Sequence, residues 1–240
     1  LSDWLTYDPS VPSRHEATDQ AGDRYFSYDS SYGALNFSDG EFNTSSELSD
    51  HHFTHGYLIY AASMLSIYDP DFLEDYGDLL DFEVRDIASY DRDDPYFPYL
   101  RCFDPYMGHC WANGLGDFGD GNNEESEGEA LSAWAACYLY GQIKGDEGLV
   151  DASIYGYVSE LESAKTYWFD YGKDVWLPKI HESGIGVMAI QWGGKYDYAT
   201  WFGANPSFIY GIEWLPIGTY LSGYAQSETE RKRLEEIYAL

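Results

Sequence analysis

Basic residues are scarce in this 240-residue chain: 13 Lys and Arg stand against 42 Asp and Glu, for a formal net charge of −29. That balance excludes nucleic acid and anionic membrane surfaces as partners, because phosphate binding rests on neutralisation by Lys and Arg. Cysteine is also scarce. Cys102, Cys110 and Cys137 allow one bridge, for example Cys102 to Cys110, and leave an odd thiol, so no disulfide framework holds this chain together. No run of ~20 apolar residues is present, which excludes a membrane-spanning helix. The Gly-rich phosphate loop, the nucleophile elbow and any fixed-period repeat are likewise missing. The chain opens on "LSDWLTYDPS" without an initiator Met or a leader pattern, and reads as a processed product or a fragment.

What is abundant is aromatic. Phe, Trp and Tyr make up 18% of the residues, with 24 Tyr and 8 Trp. Such rings offer an apolar face and a hydrogen-bonding rim, which suits a sugar, although a Tyr-rich core would look the same in composition. Hydrophobic content of 44% supports a globular chain, long enough for one large domain or two small ones. The acidic excess fits saline, acidic or extracellular surroundings and a neutral or cationic partner.

Residues 1–46 read as loop. Three- and four-residue apolar spacing predicts helices over about 47–68, with Phe53, Tyr57, Tyr60, Met64 and Leu65, and over about 71–90, with Leu73, Tyr76, Leu80, Val84 and Ile87. Further helices are expected at about 123–141, about 147–168 and in the final "SETERKRLEEIYAL". Residues 174–194 look extended, as a short hairpin. Between the helices lie long aromatic loops, which in a compact domain carry sites. The fold class expected is all-α, built of helical hairpins.

The segment "DFGDGNNEESEGEA", Asp117–Ala130, holds six carboxylates in fourteen residues. Asn122 or Asn123 would cap a helix whose first turn carries acids favoured by the helix dipole. That accounts for Glu124 to Glu127 without a function. Glu125 and Glu129 stand four apart, an unfavourable like-charge pair on an exposed face. In a cleft the same pair would have a raised pKa and suit acid–base work. In "DHHFTHGY", His51 and His55 have the helical spacing of a zinc pair, yet His52 stands where the zinc-protease pattern has Glu and no third ligand follows. His51, His52 and His55 would otherwise form a polar wall for sugar hydroxyls or hold a carboxylate in place. An EF-hand before Asn122 fails because Phe118 stands where an oxygen ligand is needed.

Four segments then occur in order: "SDHHFTHGYLIYAA", "YDRDDPYFPYLRCFDPYMGHCWANG", "FGDGNNEESEGEA" and "GGKYDYATWFGANPSFIYGIEWLP". Together, over about Asp50 to Pro216, they resemble the catalytic domain of glycoside hydrolase family 81, the endo-β-1,3-glucanases. The resemblance implies an (α/α)6 toroid with a cleft across one end, and endo-acting inverting hydrolysis of β-1,3-glucan with no cofactor and no metal. By position, Asp50 would be the general acid and Glu125 the general base, with Glu129 positioning the water or tuning Glu125. An inverting pair stands ~6.5–9.5 Å apart to admit a water, which residues on separate elements can satisfy. Asp104, His109 and Trp111 are expected to line the cleft, and Tyr57 and Trp201 to be stacking platforms; packing roles remain open for all five. The family pattern has His and Tyr where this chain has Thr54 and His55, and commonly Gln where it has Glu124.

Family members also carry an upstream β-sandwich and more toroid before the "DHHF" helix. Twelve helices with their loops need roughly 250–300 residues, so residues 1–240 are expected to be a single toroid domain or a C-terminal portion of one. The chain is expected to be a monomer acting on an extracellular or cell-wall glucan. Two other readings stay open: a non-catalytic glucan-binding remnant, and a zinc hydrolase using His51 and His55 that chelation would reveal.

Overall fold

The computed structural model describes residues 1–10, 23–38 and 41–239. A hairpin of β1 (Phe26–Asp29) and β2 (Ala34–Phe37) opens it, in a region where the sequence pattern suggests only loop. Its turn is closed by Gly33 at φ +60°, a left-handed conformation that favours glycine. The rest of the expected N-terminal loop lies partly outside the described residues.

Helix α1 (His51–Tyr68) and helix α2 (Pro70–Ala88) follow as an antiparallel pair. Pro70 sits in the first turn of α2, where its missing N–H costs nothing. The apolar stripe of α2 is the expected one, with Leu80, Val84 and Ile87 buried. The stripe of α1 differs: Leu58, Ile59 and Ala62 are buried, whereas Tyr57 and Met64 are exposed. The reason is that α1 is sandwiched between α2 and a third helix, so it is covered on most sides instead of along one stripe.

The long irregular segment carries a two-residue ladder, β3 (Phe103–Asp104) with β4 (His109–Cys110). β5 (Asn123–Glu124) then precedes α3 (Glu127–Lys144) and α4 (Glu147–Ser163). The expected helix start at Asn123 is therefore displaced, and the residue before α3 is Ser126, whose side chain makes no capping bond. Asn123 and Glu124 are extended because β5 pairs with β6 (Ile190–Trp192), Asn123 opposite Trp192 and Glu124 opposite Gln191. α4 is capped by Asp146, whose side chain accepts from the Leu149 N–H, and continues as a π-helical turn to Trp168.

Residues 174–194 contain a short helix, α5 (Pro178–Glu182), rather than a continuous extended run. The hairpin falls slightly later, where β6 pairs with β7 (Tyr196–Asp197). A short α6 (Pro206–Gly211) leads to α7 (Glu228–Tyr238), which opens on a reciprocal capping box between Ser227 and Glu230. The fold is thus largely helical, with small antiparallel ladders beside the helix starts.

Two apolar clusters hold it together. One lies among α1, α2 and α3 around Ile59, Leu80 and Trp134; the other joins α3 and α4 to the C-terminal segments around Trp168, Ile190 and Tyr224. Helices α1 and α3 approach closely at Gly56, where an added Cβ would stand 2.8 Å from the Ala133 Cβ. Gly56→Val should therefore force the helices apart and cost about 1–3 kcal/mol. Urea unfolding would show it as a lower midpoint at unchanged slope.

Candidate active site

A cleft of about 650 Å³ opens where the start of α1, the β5–α3 junction and the loop after β7 meet. Asp50, Glu125 and Glu129 line it, with Phe53, Tyr57, Phe118, Trp201 and Phe202 supplying aromatic walls. This is the combination of rings and convergent carboxyls that small polar ligands require.

Each carboxyl comes from a different local structure. Asp50 precedes α1 with φ 57° and ψ 25°, a left-handed conformation that Asp adopts more readily than most residues. Its N–H donates to the Ala112 carbonyl at 2.7 Å, and the Ala112 N–H donates to the Asn123 carbonyl at 2.7 Å. This backbone chain ties Asp50 to β5, two residues before Glu125. Glu125 lies in the connection between β5 and α3, not on the helix, so it does not share a helical face with Glu129 as the spacing suggested. Of the three cleft carboxyls, Glu129 alone stands in the first turn of α3. The Trp201 N–H donates to Glu125 Oε1 at 2.8 Å, and the Trp201 indole reaches Asn123 Oδ1 at 3.4 Å. Trp201 thus holds Glu125 while its ring, 58% exposed, faces the cleft.

Burial raises both central carboxyls. Asp50 is pushed up to about 6 by desolvation, with His52 opposing and Glu129 adding to the rise. Glu125 is pushed up to about 7 by desolvation, against the Trp201 N–H, with further repulsion from Glu129 and Asp50. Of the two, Glu125 is raised further and keeps its proton to the higher pH. Burial raises the Tyr57 hydroxyl, and the charge of Glu129 adds to the rise.

The three histidines do not reach this cleft. His51 is fully buried, with Nδ1 2.6 Å from Asp86 Oδ2 and Nε2 donating to the Thr44 carbonyl at 2.8 Å. His55 is fully buried between Glu83 Oε2, 2.5 Å from Nδ1, and the Leu35 carbonyl, 3.1 Å from Nε2. With both ring nitrogens of each engaged, neither has a lone pair for a zinc ion or a sugar. His52 pairs through Nε2 with Glu124 Oε1 at 2.7 Å, directly behind Asp50. The expected polar wall is an interior support instead, because helical spacing places i and i+4 together without saying which way they face.

Asp104, His109 and Trp111 likewise stand off the cleft. The Trp111 indole donates to Asp104 Oδ2 at 3.0 Å, and Asp104 Oδ1 accepts from the Tyr106 and Met107 N–H groups. These donors offset desolvation and hold Asp104 below its ordinary value. His109 is buried against Trp111 and Trp168, and burial lowers it to about 4. Glu124 and Glu127, expected as solvated first-turn acids, are fully buried. Phe42, Asn43, Asn113, Phe118 and Phe202 join the cleft with no sequence signal beyond, for Phe202, its place beside Trp201.

Comparison with known proteins adds to this geometry. The model of the glycosyl hydrolase family 81 C-terminal domain matches residues 20–232. A glucan endo-1,3-beta-D-glucosidase of Acetivibrio thermocellus is 38% identical over 219 residues, covering 90% of this chain and 27% of that protein. A protein of the same name from Thermobifida fusca is 34% identical over 220 residues, again 90% and 27%. The solved structure of a glycoside hydrolase family 81 protein from Clostridium thermocellum superposes with a TM-score of 0.84 at 34% identity, covering 98% of this chain and 32% of that one. The chain thus spans about a quarter of the length of the curated relatives it matches.

Proposed function

The chain belongs to glycosyl hydrolase family 81, and from that premise we propose that it carries the acid–base centre of an endo-acting, inverting β-1,3-glucan hydrolase. The observation that carries the reading is the convergence of Asp50 and Glu125, two burial-raised carboxyls from separate elements, on one aromatic-lined cleft. Asp50, protonated, gives its proton to the glycosidic oxygen as the C1–O bond breaks. Glu125, ionised, takes a proton from the water that attacks C1 from the opposite face. The Trp201 N–H on Glu125 Oε1 favours the ionised form and fixes which oxygen stays available. Glu129, which lines the cleft with Tyr57, positions the water or tunes Glu125, and Tyr57 and Trp201 offer ring faces to the sugar CH groups.

On this reading the helices form part of an (α/α)6 toroid, active as a monomer on a glucan outside the cell. No helix among the described residues is long and apolar enough to cross a membrane. Proton NMR of a linear β-1,3-glucan oligosaccharide during hydrolysis tests the proposal. Release of the α-anomer first is the expected result. Release of the β-anomer first would remove the inverting roles, and a folded chain that binds the oligosaccharide without cleaving it would leave only a binding module.

A further inference from the structure

Behind the cleft, α3, α4 and β4 enclose a group of acids that the hydrolytic reading does not use. Glu127 and Glu160 are fully buried beside His109, and one ligand atom from each of the three lies within 4.8 Å of the others. His109 Nδ1 is 2.6 Å from the Cys110 carbonyl. A carbonyl only accepts, so Nδ1 carries the hydrogen and Nε2 presents a bare lone pair. That Nε2, like both carboxylate oxygens of Glu127, has no protein partner. Glu160 is already oriented by two donors: the Cys110 N–H to Oε1 at 2.7 Å and the Trp134 indole to Oε2 at 2.9 Å.

Among the described residues no Lys or Arg pairs with Glu127 or Glu160, and the nearby His52 is hydrogen-bonded to Glu124. The Lys and Arg ion pairs of the described residues all go to other carboxylates. Glu160 is fixed in place by its two donors, Glu127 has none on its side-chain oxygens, and a buried carboxylate without a counter-charge is costly. A single proton on Glu127 could reach one acceptor and would leave its other oxygen bare. A divalent cation would satisfy the imidazole nitrogen and both carboxylates at once and balance two negative charges.

We propose that His109 Nε2, Glu127 and Glu160 form a buried structural site for a divalent cation of the zinc class. One imidazole and two carboxylates suit a borderline cation. The hydrogen bonds from His109 Nδ1 to Cys110 and from Cys110 and Trp134 to Glu160 are the outer contacts that orient such ligands. Complete burial of all three marks a closed site that would support the α3–α4 junction and take no part in the hydrolysis.

The test is metal content and thermal stability, both independent of activity. Elemental analysis of the 240-residue chain purified with zinc in the medium should give about one zinc per chain, as a closed site implies. Stripping with a strong chelator should lower Tm, and adding zinc to hundredfold excess over Kd should restore it by about 5–10 °C. Cobalt loading should give visible absorption bands of a protein-bound ion. Glu127→Gln keeps the shape and should abolish both the stoichiometry and the Tm response. His109→Gln should do the same, and if it does not fold, Glu127→Gln decides. Substoichiometric metal with no chelator effect would overturn the proposal. So would zinc binding and a Tm shift undiminished in Glu127→Gln, which would place the ion on the acidic surface.

Discussion

Glu125→Gln is expected to lower kcat on a linear β-1,3-glucan oligosaccharide by about 10²–10⁴-fold, the range for loss of a positioned general base, while circular dichroism stays unchanged. Glutamine keeps an oxygen for the Trp201 N–H, so the local structure should persist and the loss should report chemistry. Azide, which needs no deprotonation, should restore turnover in this variant and yield a glycosyl azide of inverted configuration. Asp50→Asn should behave oppositely: no rescue by azide on a natural linkage, but partial recovery on a substrate whose leaving group needs no protonation. Azide rescue of Asp50→Asn instead would exchange the two roles. The pH profile follows from the same assignment. Activity requires Asp50 protonated and Glu125 ionised. Because Asp50 titrates near 6 and Glu125 near 7, this form is the smaller share of the singly protonated pair. Activity should fall below about 6, where both are protonated, and above about 7, where both are ionised. With the two raised to about 6 and about 7, the optimum lies between pH 6 and 7. A broad optimum near pH 4–5 would mean that burial does not shift them.

The carboxyls of the cleft were legible because each is tied to a short motif, and the cleft assembles them from three places. Asp50, Glu125 and Glu129 all line it, although Glu125 is off the helix on which spacing had placed it. The histidines were legible as a cluster and not in direction. His51 and His55 meet Asp86 and Glu83 from α2, partners about thirty residues away, and no local pattern reveals a partner at that range. Glu124 looks like a helix-start acid until β6 arrives from about seventy residues later and makes its segment a strand, and Glu127 does open α3 but is buried instead of solvated. Helix existence was set by periodicity. Helix starts were set by this non-local pairing, which is why the one at Asn123 moved to Glu127.

The interior histidines carry the second large expectation, which concerns stability. Asp86 is fully buried. It accepts from the Leu35 N–H at 2.8 Å, from His51 at 2.6 Å, and lies 3.4 Å from Arg101 and 3.5 Å from His55. Asp86→Ala would strand these donors in the interior, for an expected loss of about 3–5 kcal/mol, or about 10²–10⁴-fold in the folded-to-unfolded ratio. The sign with pH can be worked out. Against desolvation, His51 and His55 hold the Asp86 carboxyl well below its ordinary value. Its contribution is therefore full above the unfolded value near 4 and is lost as pH falls through the folded one. His55 is raised by Glu83 and Asp86 against desolvation, so its contribution is full below about 6.5 and is lost as pH rises through its folded value. Denaturant unfolding should accordingly show the largest gap between parent and Asp86→Ala near pH 5, narrowing on both sides. A gap independent of pH would show that lost packing, not charge, dominates. Because His51 immediately follows Asp50, loss of its anchor should also displace Asp50, the proposed general acid, so kcat should fall in whatever fraction of Asp86→Ala remains folded.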